Sequence, residues 1–312
     1  MENELKLGFI GLGAMGKGMA HNLLSTGHEL LVHDVRKEAA NELIERGARW
    51  ADSVAEIGRE ASVIFTSLPG PREMEAVGLG EDGLLASMQQ GSVWFDMSTN
   101  SPATLHKVFE ACRAVGVSFL DAPVSGGPAG ASSGKLAIYV GGDSTTFEQH
   151  LHLLKALGDE VMYMGDIGTG TSTKLAHNAA SAAIRIVTAE VFSMAVKSGV
   201  EPSALWKALR NGAIGRTRTF DRMEKYLNGN YDPPTFTVTL VNKDIGLALE
   251  LANSMNVPMR CIEAAYKDYQ EALDRGWGAR DSRSPMSLQN ERAGVEISVS
   301  QEVIQEVLTL DP

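Results

Sequence analysis

The sequence predicts an α/β protein with an N-terminal doubly wound parallel sheet followed by an all-α C-terminal domain. Short apolar strands alternate with helical segments as far as about residue 165, and a glycine-rich turn follows the first strand. From about residue 171 the hydrophobic residues recur with helical spacing, and no convincing strand pattern remains. We therefore expect two domains, residues 1–165 and 166–312, joined by a long interdomain helix.

Short apolar runs bounded by turn residues predict the strands of the first domain. These runs cover residues 5–10, 29–33, 62–67, 92–95 and 117–120, and the same sheet is extended by 136–140 and 160–164. The predicted helices include the segment from the glycine turn to residue 25, and residues 36–46, 101–114 and 144–157. This alternation is typical of parallel strands joined by helical crossovers.

The rest of the chain is predicted to be helical. Residues 171–197 form one long, alanine-rich helix without proline, which favours a homodimer or homotetramer. Further helices are predicted over residues 202–210, 217–228, 238–255 and 258–275. The tail from about residue 279 is polar, and we expect it to be partly irregular or to dock on a partner subunit.

Charge and cysteine content narrow the partners of the protein. A net charge of −11 disfavours nucleic acid and anionic membranes, both of which attract basic surfaces. Cys112 and Cys261 lack metal-ligand spacing, and two cysteines are too few for a disulfide scaffold. We expect no metal site and a reducing, cytoplasmic location. The acidic N-terminus and the lack of a long apolar run predict neither a signal peptide nor a membrane span.

The glycine-rich turn after the first strand predicts a dinucleotide site. Its residues are Gly11, Leu12, Gly13, Ala14, Met15 and Gly16. In this pattern the first glycine permits a tight turn, the second lets the backbone approach the pyrophosphate, and the third lets helix and strand pack closely. The helix N-terminus then offers free N–H groups to the phosphates. Asp34 ends the second strand 18 residues after Gly16, where its carboxylate would accept hydrogen bonds from the adenosine ribose.

Two further observations concern the cofactor. Arg36 follows Asp34 by two residues and could reach a 2′-phosphate, although such an arginine also stacks on adenine or remains solvated. Because Asp34 would repel a 2′-phosphate, we expect NAD, with NADP as the alternative. Leu68, Pro69 and Thr99 follow the next two strands at the carboxyl edge of the sheet, where ligands bind in this architecture. We expect these three residues to line the nicotinamide ribose.

Lys174 and Asn178 lie one helical turn apart at the start of the long helix. A lysine at this position can take or give the hydroxyl proton of an alcohol, and the carboxamide can hold lysine and substrate in register. Ser125, Gly126 and Gly127 offer a hydroxyl and bare backbone N–H groups, which suit a carboxylate. Taken alone, these residues are also compatible with an ordinary helix face and a flexible turn.

The order of these motifs resembles that of the β-hydroxyacid dehydrogenase family, which includes 3-hydroxyisobutyrate dehydrogenase and tartronate semialdehyde reductase. The resemblance covers about residues 5–280 and rests on the glycine turn, Asp34, Asp96-Met-Ser98-Thr99, Asp121-Ala-Pro-Val-Ser125-Gly126-Gly127, Gly168-x-Gly170-x-x-x-Lys174-x-x-x-Asn178 and Asn242-Lys243-Asp244. It implies a Rossmann domain, an all-helical second domain and an NAD(P)-dependent enzyme. The implied reaction interconverts a small 3-hydroxy carboxylate and its semialdehyde.

The resemblance also implies roles for individual residues. Lys174 is then the general acid/base, and Asn178 positions the substrate. The turn at residues 125–127 holds the substrate carboxylate. Lys243 borders the cofactor and the substrate, and Asp244 supports Lys243.

Two residues depart from the family pattern. His177 makes the local string resemble that of 6-phosphogluconate dehydrogenase, which leaves oxidative decarboxylation open, although the chain is short for that enzyme's helical domain. Arg185, within an apolar stretch 11 residues after Lys174, either forms a structural ion pair or binds a second anionic group of the substrate. A non-catalytic NAD(P)-binding homologue and an imine reductase are further alternatives, but both are expected to lack Lys174.

Overall fold

The computed structural model describes residues 5–197, 199–212, 215, 222–254 and 259–309. The chain divides into two compact units, Met1–Ala176 and His177–Pro312. The sheet belongs to the first unit and ends at Gly165, whereas the secondary structure described in the second unit consists of helices and one isolated β-bridge. The expected fold class is confirmed, and a domain boundary at residue 165 stays a prediction.

Within residues 5–176, nine strands form one sheet. Their bounds are β1 Lys6–Ile10, β2 Glu29–His33, β3 Arg49–Trp50, β4 Val63–Thr66, β5 Val93–Asp96, β6 Ser118–Asp121, β7 Val124–Ser125, β8 Ala137–Gly141 and β9 Glu160–Gly165. The strand order is β3-β2-β1-β4-β5-β6-β8-β7, with β9 beside β8. The pairs formed among β1 to β6 are parallel, but β8 runs antiparallel to β6 and β7. The segment between β7 and β8 is short for a parallel crossover, which needs about a dozen residues or more.

Helices connect the strands and cover the sheet. They are α1 Gly16–Leu24, α2 Asn41–Glu45, α3 Val54–Glu60, α4 Pro71–Leu79, α5 Pro102–Ala114, α6 Gly127–Ser133 and α7 Ser144–Leu157, with 3₁₀ turns at Lys37–Ala40 and Leu84–Ala86. Strand residues alternate between the two faces. Phe9 and Phe65 pack with residues of α1, α2 and α7, whereas Ile64 and Trp94 pack with residues of α3, α4 and α5. Both faces are therefore buried, as expected for a largely parallel sheet.

The remaining helices begin with the long one. They are α8 Thr169–Lys197, α9 Pro202–Asn211, α10 Glu224–Asn228, α11 Val238–Ser254, α12 Arg260–Asp274, α13 Met286–Ala293 and α14 Gln301–Thr309. Of the predicted helix over 217–228, residues 217–221 lie outside the described residues, and α10 covers the last five positions. The tail contains α13 and α14, which the sequence did not predict, and its Ile297 and Ile304 are buried in the same cluster as Trp206. Among the described residues, no helix is long and apolar enough to cross a membrane.

Candidate active site

The turn between β1 and α1 has the backbone geometry that a dinucleotide requires. Gly11 has a φ of +92°, and a Cβ there would lie 2.3 Å from the carbonyl oxygen of Ser67. A Cβ at Gly16 would lie 1.8 Å from the carbonyl oxygen of Gly11, so α1 can pack against the turn only with glycine. At Gly13 nothing lies within 4 Å of a Cβ position, and the neighbouring Ala14 is exposed. The backbone at Gly13 is therefore open to a ligand, as the glycine pattern requires.

Asp34 lies against this turn, at the end of β2. Its carboxylate accepts the backbone N–H of Leu12 at 2.7 Å and that of Arg36 at 2.9 Å. A carboxylate has about four lone-pair sites, so capacity remains for ribose hydroxyls. The Arg36 side chain is 72% exposed, with its Nε 4.0 Å from Asp34, and the adjacent Val35 is 97% exposed. This arrangement fits the adenosine half of NAD(P).

The segments after β4 and β5 are tied together by Asp96. The Ser98 hydroxyl donates to Asp96 at 2.6 Å and accepts the backbone N–H of Leu68 at 2.8 Å. Asp96 also accepts the Thr66 hydroxyl at 2.8 Å and the Asn100 amide at 2.6 Å. Burial raises the pKa of the Asp96 carboxyl to about 6, although these hydrogen bonds oppose the rise. Asp96 thus fixes the loops that were predicted to line the nicotinamide ribose.

Of the three residues predicted for that lining, Leu68 and Thr99 are half-buried and Pro69 is exposed. They follow β4 and β5, and β4 lies beside β1, where the strand order reverses. Ligands of open parallel sheets bind at the carboxyl ends of the strands near such a reversal. Sequence reasoning gave Asp96 no role, although a carboxylate that ends an apolar strand was an available signal.

The turn predicted to hold a carboxylate lies between β7 and α6. Gly126 has a φ of +135° and Gly127 a φ of +65°, conformations that favour glycine. Ser125 is half-buried, and its side chain hydrogen-bonds the phenol of Tyr139 on the neighbouring strand β8. Burial raises the pKa of Tyr139. Sequence reasoning missed Tyr139, because nothing in the sequence indicated which strand would pair with β7.

Lys174 lies in the second turn of α8 and is 9% exposed. The start of this helix is bound to β6 by Asp121, whose carboxylate accepts the backbone N–H of Gly168 at 2.8 Å and that of Thr171 at 2.6 Å. Burial raises the pKa of Asp121, and the two N–H donors oppose the rise. Lys174 is thus a buried lysine on a helix whose first turn is anchored at the edge of the sheet.

In the second unit, Asp244 joins two of the predicted site residues. Its Oδ2 accepts the Asn178 amide at 2.5 Å, and its Oδ1 lies 3.0 Å from Lys243 Nζ, in an ion pair without hydrogen-bond geometry. The exposed His177 has its ring Nδ1 3.2 Å from Asn178 Oδ1.

Arg185 forms a hydrogen bond with the fully buried Tyr269. Burial raises the pKa of Tyr269, and the guanidinium charge of Arg185 opposes that rise. An ion pair or a substrate contact for Arg185 stays a prediction.

The carboxyl ends of parallel strands meet at one edge of the sheet, so the predicted residues that follow them lie along that edge. They are Gly11 to Gly16 after β1, Asp34 after β2, Leu68 and Pro69 after β4, Thr99 after β5, and Ser125 to Gly127 after β6. Lys174 belongs to the same unit, whereas Asn178 and Lys243 belong to the other. A glycine turn, an acidic residue after the second strand and a buried lysine define a nicotinamide-dinucleotide-dependent dehydrogenase.

Comparison with known proteins gives the particular family. Residues 6–165 match the NAD binding domain of 6-phosphogluconate dehydrogenase. Residues 168–288 match the family described as NAD-binding of NADP-dependent 3-hydroxyisobutyrate dehydrogenase. The chain belongs to the β-hydroxyacid dehydrogenase family, and it is an NAD(P)-dependent oxidoreductase that acts on a hydroxyl group.

Similar proteins cover nearly the whole chain. It is 34% identical to mitochondrial 3-hydroxyisobutyrate dehydrogenase of Mus musculus, over 91% of this chain and 87% of the relative. It is 32% identical to 2-(hydroxymethyl)glutarate dehydrogenase of Eubacterium barkeri, over 96% of this chain and 100% of the relative. The solved structure of Mycobacterium tuberculosis 3-hydroxyisobutyrate dehydrogenase with L-serine has a TM-score of 0.82 at 26% identity, and covers 91% and 98% of the two chains.

Proposed function

We propose that this protein interconverts a small 3-hydroxy carboxylate of the 3-hydroxyisobutyrate type and its semialdehyde, with Lys174 as the general acid/base. The observation that carries the proposal is a buried lysine in the second turn of α8, on a helix anchored to the sheet edge that holds the dinucleotide residues. The two relatives compared above are named for hydroxy acids that carry a carboxylate beside a short alcohol. Their names support the substrate class.

The glycine turn and Asp34 would hold NAD(P), which would supply a hydride acceptor for the alcohol carbon in the oxidation and a hydride donor for the aldehyde in the reduction. In the oxidation the amine of Lys174 takes the hydroxyl proton, and in the reduction it gives a proton to the carbonyl oxygen. Asn178, one turn further along α8, positions the reacting oxygen. Because Asp244 accepts the Asn178 amide hydrogen, the orientation of the amide is fixed, and its oxygen, which also lies 3.2 Å from the His177 ring Nδ1, is the acceptor proposed for a substrate hydroxyl.

The carboxylate end of the substrate is bound by the turn at residues 125–127. The Ser125 hydroxyl and the N–H groups of Gly126 and Gly127 are hydrogen-bond donors for a carboxylate. Lys243 borders the cofactor and the substrate and is held by its ion pair with Asp244. An anion at one end and an alcohol at the other restrict the substrate to a short acid.

We also propose that NAD is the preferred cofactor. The Asp34 carboxylate lies where a 2′-phosphate would be placed against it, whereas Arg36 is largely exposed. NADP remains the alternative if Arg36 turns toward the adenosine. We further propose a cytoplasmic location, which the low cysteine content supports, and assembly into a homodimer or homotetramer, which the long apolar helix supports.

The decisive experiment replaces Lys174 and a matched exposed lysine. With 3-hydroxyisobutyrate and NAD, Lys174→Ala should lower kcat by about 10²–10⁴-fold, the range typical of general acid–base catalysis. The Kd for NADH, measured by fluorescence, should change little. Lys155→Ala, on the exposed side of α7, should leave both quantities unchanged. Near-normal turnover of Lys174→Ala would refute the assignment.

A second candidate, oxidative decarboxylation of a hydroxy acid, is favoured by one observation. His177 is exposed beside Asn178, at the position that resembles 6-phosphogluconate dehydrogenase. Decarboxylation predicts one carbon dioxide for each NADH formed. Both products should be followed with 3-hydroxyisobutyrate, glycerate, 4-hydroxybutyrate and sugar acids, and stoichiometric carbon dioxide would favour this candidate.

A further inference from the structure

A buried carboxylate lies between two segments of the proposed site. Asp121 ends β6, and four residues later the chain reaches Ser125. Its side chain crosses to the start of α8, where it accepts one backbone N–H from Gly168 and one from Thr171. Asp121 is fully buried, so neither bond competes with water. Hydrogen bonds to a carboxylate are stronger than those between neutral groups, and a negative charge at a helix N-terminus is also stabilised by the helix dipole.

Two glycines allow the helix to come this close. A Cβ at Gly170 would lie 2.2 Å from the carbonyl oxygen of Tyr139 and 3.0 Å from Asp121 Oδ2. A Cβ at Gly141 would lie 2.5 Å from Asp121 Oδ1. Backbone, carboxylate and helix are therefore in direct contact. The first turn of α8 cannot slide along the sheet or rotate without breaking a hydrogen bond or creating a collision.

The position of Lys174 follows from this contact. Thr171 and Lys174 are three residues apart in one α-helix, which is a stiff element with a rise of about 1.5 Å per residue. Fixing the backbone at Gly168 and Thr171 therefore fixes the backbone from which the Lys174 side chain extends. The same carboxylate belongs to the segment that leads into the turn at residues 125–127.

We propose that Asp121 is a positioning residue of the reaction, which sets where Lys174 stands relative to the substrate-binding turn. This inference rests on the proposed role of Lys174. It predicts more than structural support: a folded protein without the Asp121 bonds should bind NAD normally and still react slowly, because the acid/base group is displaced.

The test uses the full-length protein with Asp121→Asn. Asparagine keeps the shape, but its amide nitrogen is a donor, so only one of the two backbone N–H groups can keep its acceptor. The expected result is a kcat lower by about 10–100-fold, since a displacement of about 1 Å can cost about 100-fold. The Kd for NADH should be unchanged, and hydrogen exchange at the amides of Gly168 and Thr171 should be faster.

Asp143→Asn is the matched control. Asp143 accepts the Thr146 N–H at 2.7 Å at the start of α7, a helix that carries none of the proposed site residues. Its kcat should equal that of the unaltered protein. Gly170→Ala keeps Asp121 but pushes α8 away from the sheet, so it should also lower kcat. If Asp121→Asn does not fold, this variant tests the positioning role instead.

A double-mutant cycle separates this inference from the proposed function. If Asp121 acts through Lys174, the double variant Lys174→Ala, Asp121→Asn should be no slower than Lys174→Ala alone. The positioning role would be overturned if the fold losses in kcat of the two single variants multiplied in the double variant. It would also be overturned if Asp121→Asn had a normal kcat despite faster hydrogen exchange at Gly168 and Thr171. Normal turnover of Lys174→Ala would instead remove the proposed function, and the positioning role with it.

Discussion

The stability of the protein should depend on pH through Asp96. In the folded chain this carboxyl is fully buried, and its pKa rises from 3.8 to about 6. In the unfolded chain it titrates near its usual value. Between about pH 4 and about pH 6 the folded state therefore binds the Asp96 proton while the unfolded state has lost it, so the free energy of unfolding falls as pH rises.

The size of this effect follows from the pKa difference. A shift of about two pKa units corresponds to about 3 kcal/mol of folding free energy. Asp96→Asn cannot titrate, so the free energy of unfolding of the unaltered protein should fall by about 3 kcal/mol more than that of Asp96→Asn from about pH 4 to about pH 7. Asp121, which lies opposite Asp96 in the register of β5 and β6, is present in both proteins, and its own titration largely cancels.

Urea unfolding of the two proteins at several pH values measures the difference directly. Asp143→Asn provides a control of opposite sign, because the hydrogen bonds from Thr146 lower the pKa of the Asp143 carboxyl. Its contribution to stability is fully present above about pH 4 and is lost only as pH falls further, so it should not change between about pH 4 and about pH 7. If the difference between the unaltered protein and Asp96→Asn stayed constant across this range, Asp96 would not be a proton-binding group of the fold.

Three further predictions concern binding. Asp34→Ala should lower kcat/KM with NAD and narrow its ratio to kcat/KM with NADP; a native preference for NADP would show that Arg36 decides. Tyr139→Phe should raise KM for the carboxylate substrate without changing kcat, because Ser125 loses its hydrogen-bond partner. An unchanged KM would show that Tyr139 does not hold Ser125 in position for the substrate carboxylate. Replacing the substrate by its methyl ester should lower kcat/KM at least about tenfold, since each lost charge-assisted hydrogen bond costs about 1.5–3 kcal/mol; equal activity on the ester would contradict a carboxylate site.

Strands were predictable where an apolar run met turn residues, as in β2, whose bounds agree with the prediction. The short helix α6 was not predicted, because its glycines and serines have low helix propensity. It forms where Ala131 packs so closely on α1 that a Cβ at Gly18 would collide with its backbone. The helices of the tail depend in the same way on tertiary burial, since Met286 of α13 and Ile304 of α14 pack with residues far away in the sequence.

The candidate site shows the same division between local and distant signals. The glycine turn and Asp34 were predictable, because the turn chemistry and the spacing are contained in one strand–helix–strand unit. The contacts of Asp96 and Asp121 were not, since they join residues 30 and 50 positions apart in the sequence, with Thr66 and Thr171 as the respective donors. The residue types along the sequence do not indicate which distant backbone N–H will hydrogen-bond to a given carboxylate.

These two carboxylates explain how loops at a sheet edge can hold a reacting geometry. Asp96 and Asp121 end neighbouring parallel strands and lie opposite each other in register. Asp96 accepts hydrogen bonds from β4 and from the loop after β5, and Asp121 accepts two from the start of α8. A hydroxyl or an amide offers fewer acceptor sites than a carboxylate. Because both are fully buried, leaving their donors unpaired would be costly, and the connected loops are therefore held in one arrangement. Asp96 fixes the segments proposed to border the nicotinamide ribose, and Asp121 fixes the helix of Lys174, so the groups proposed for the two sides of the reaction are both held from adjacent strands of one sheet.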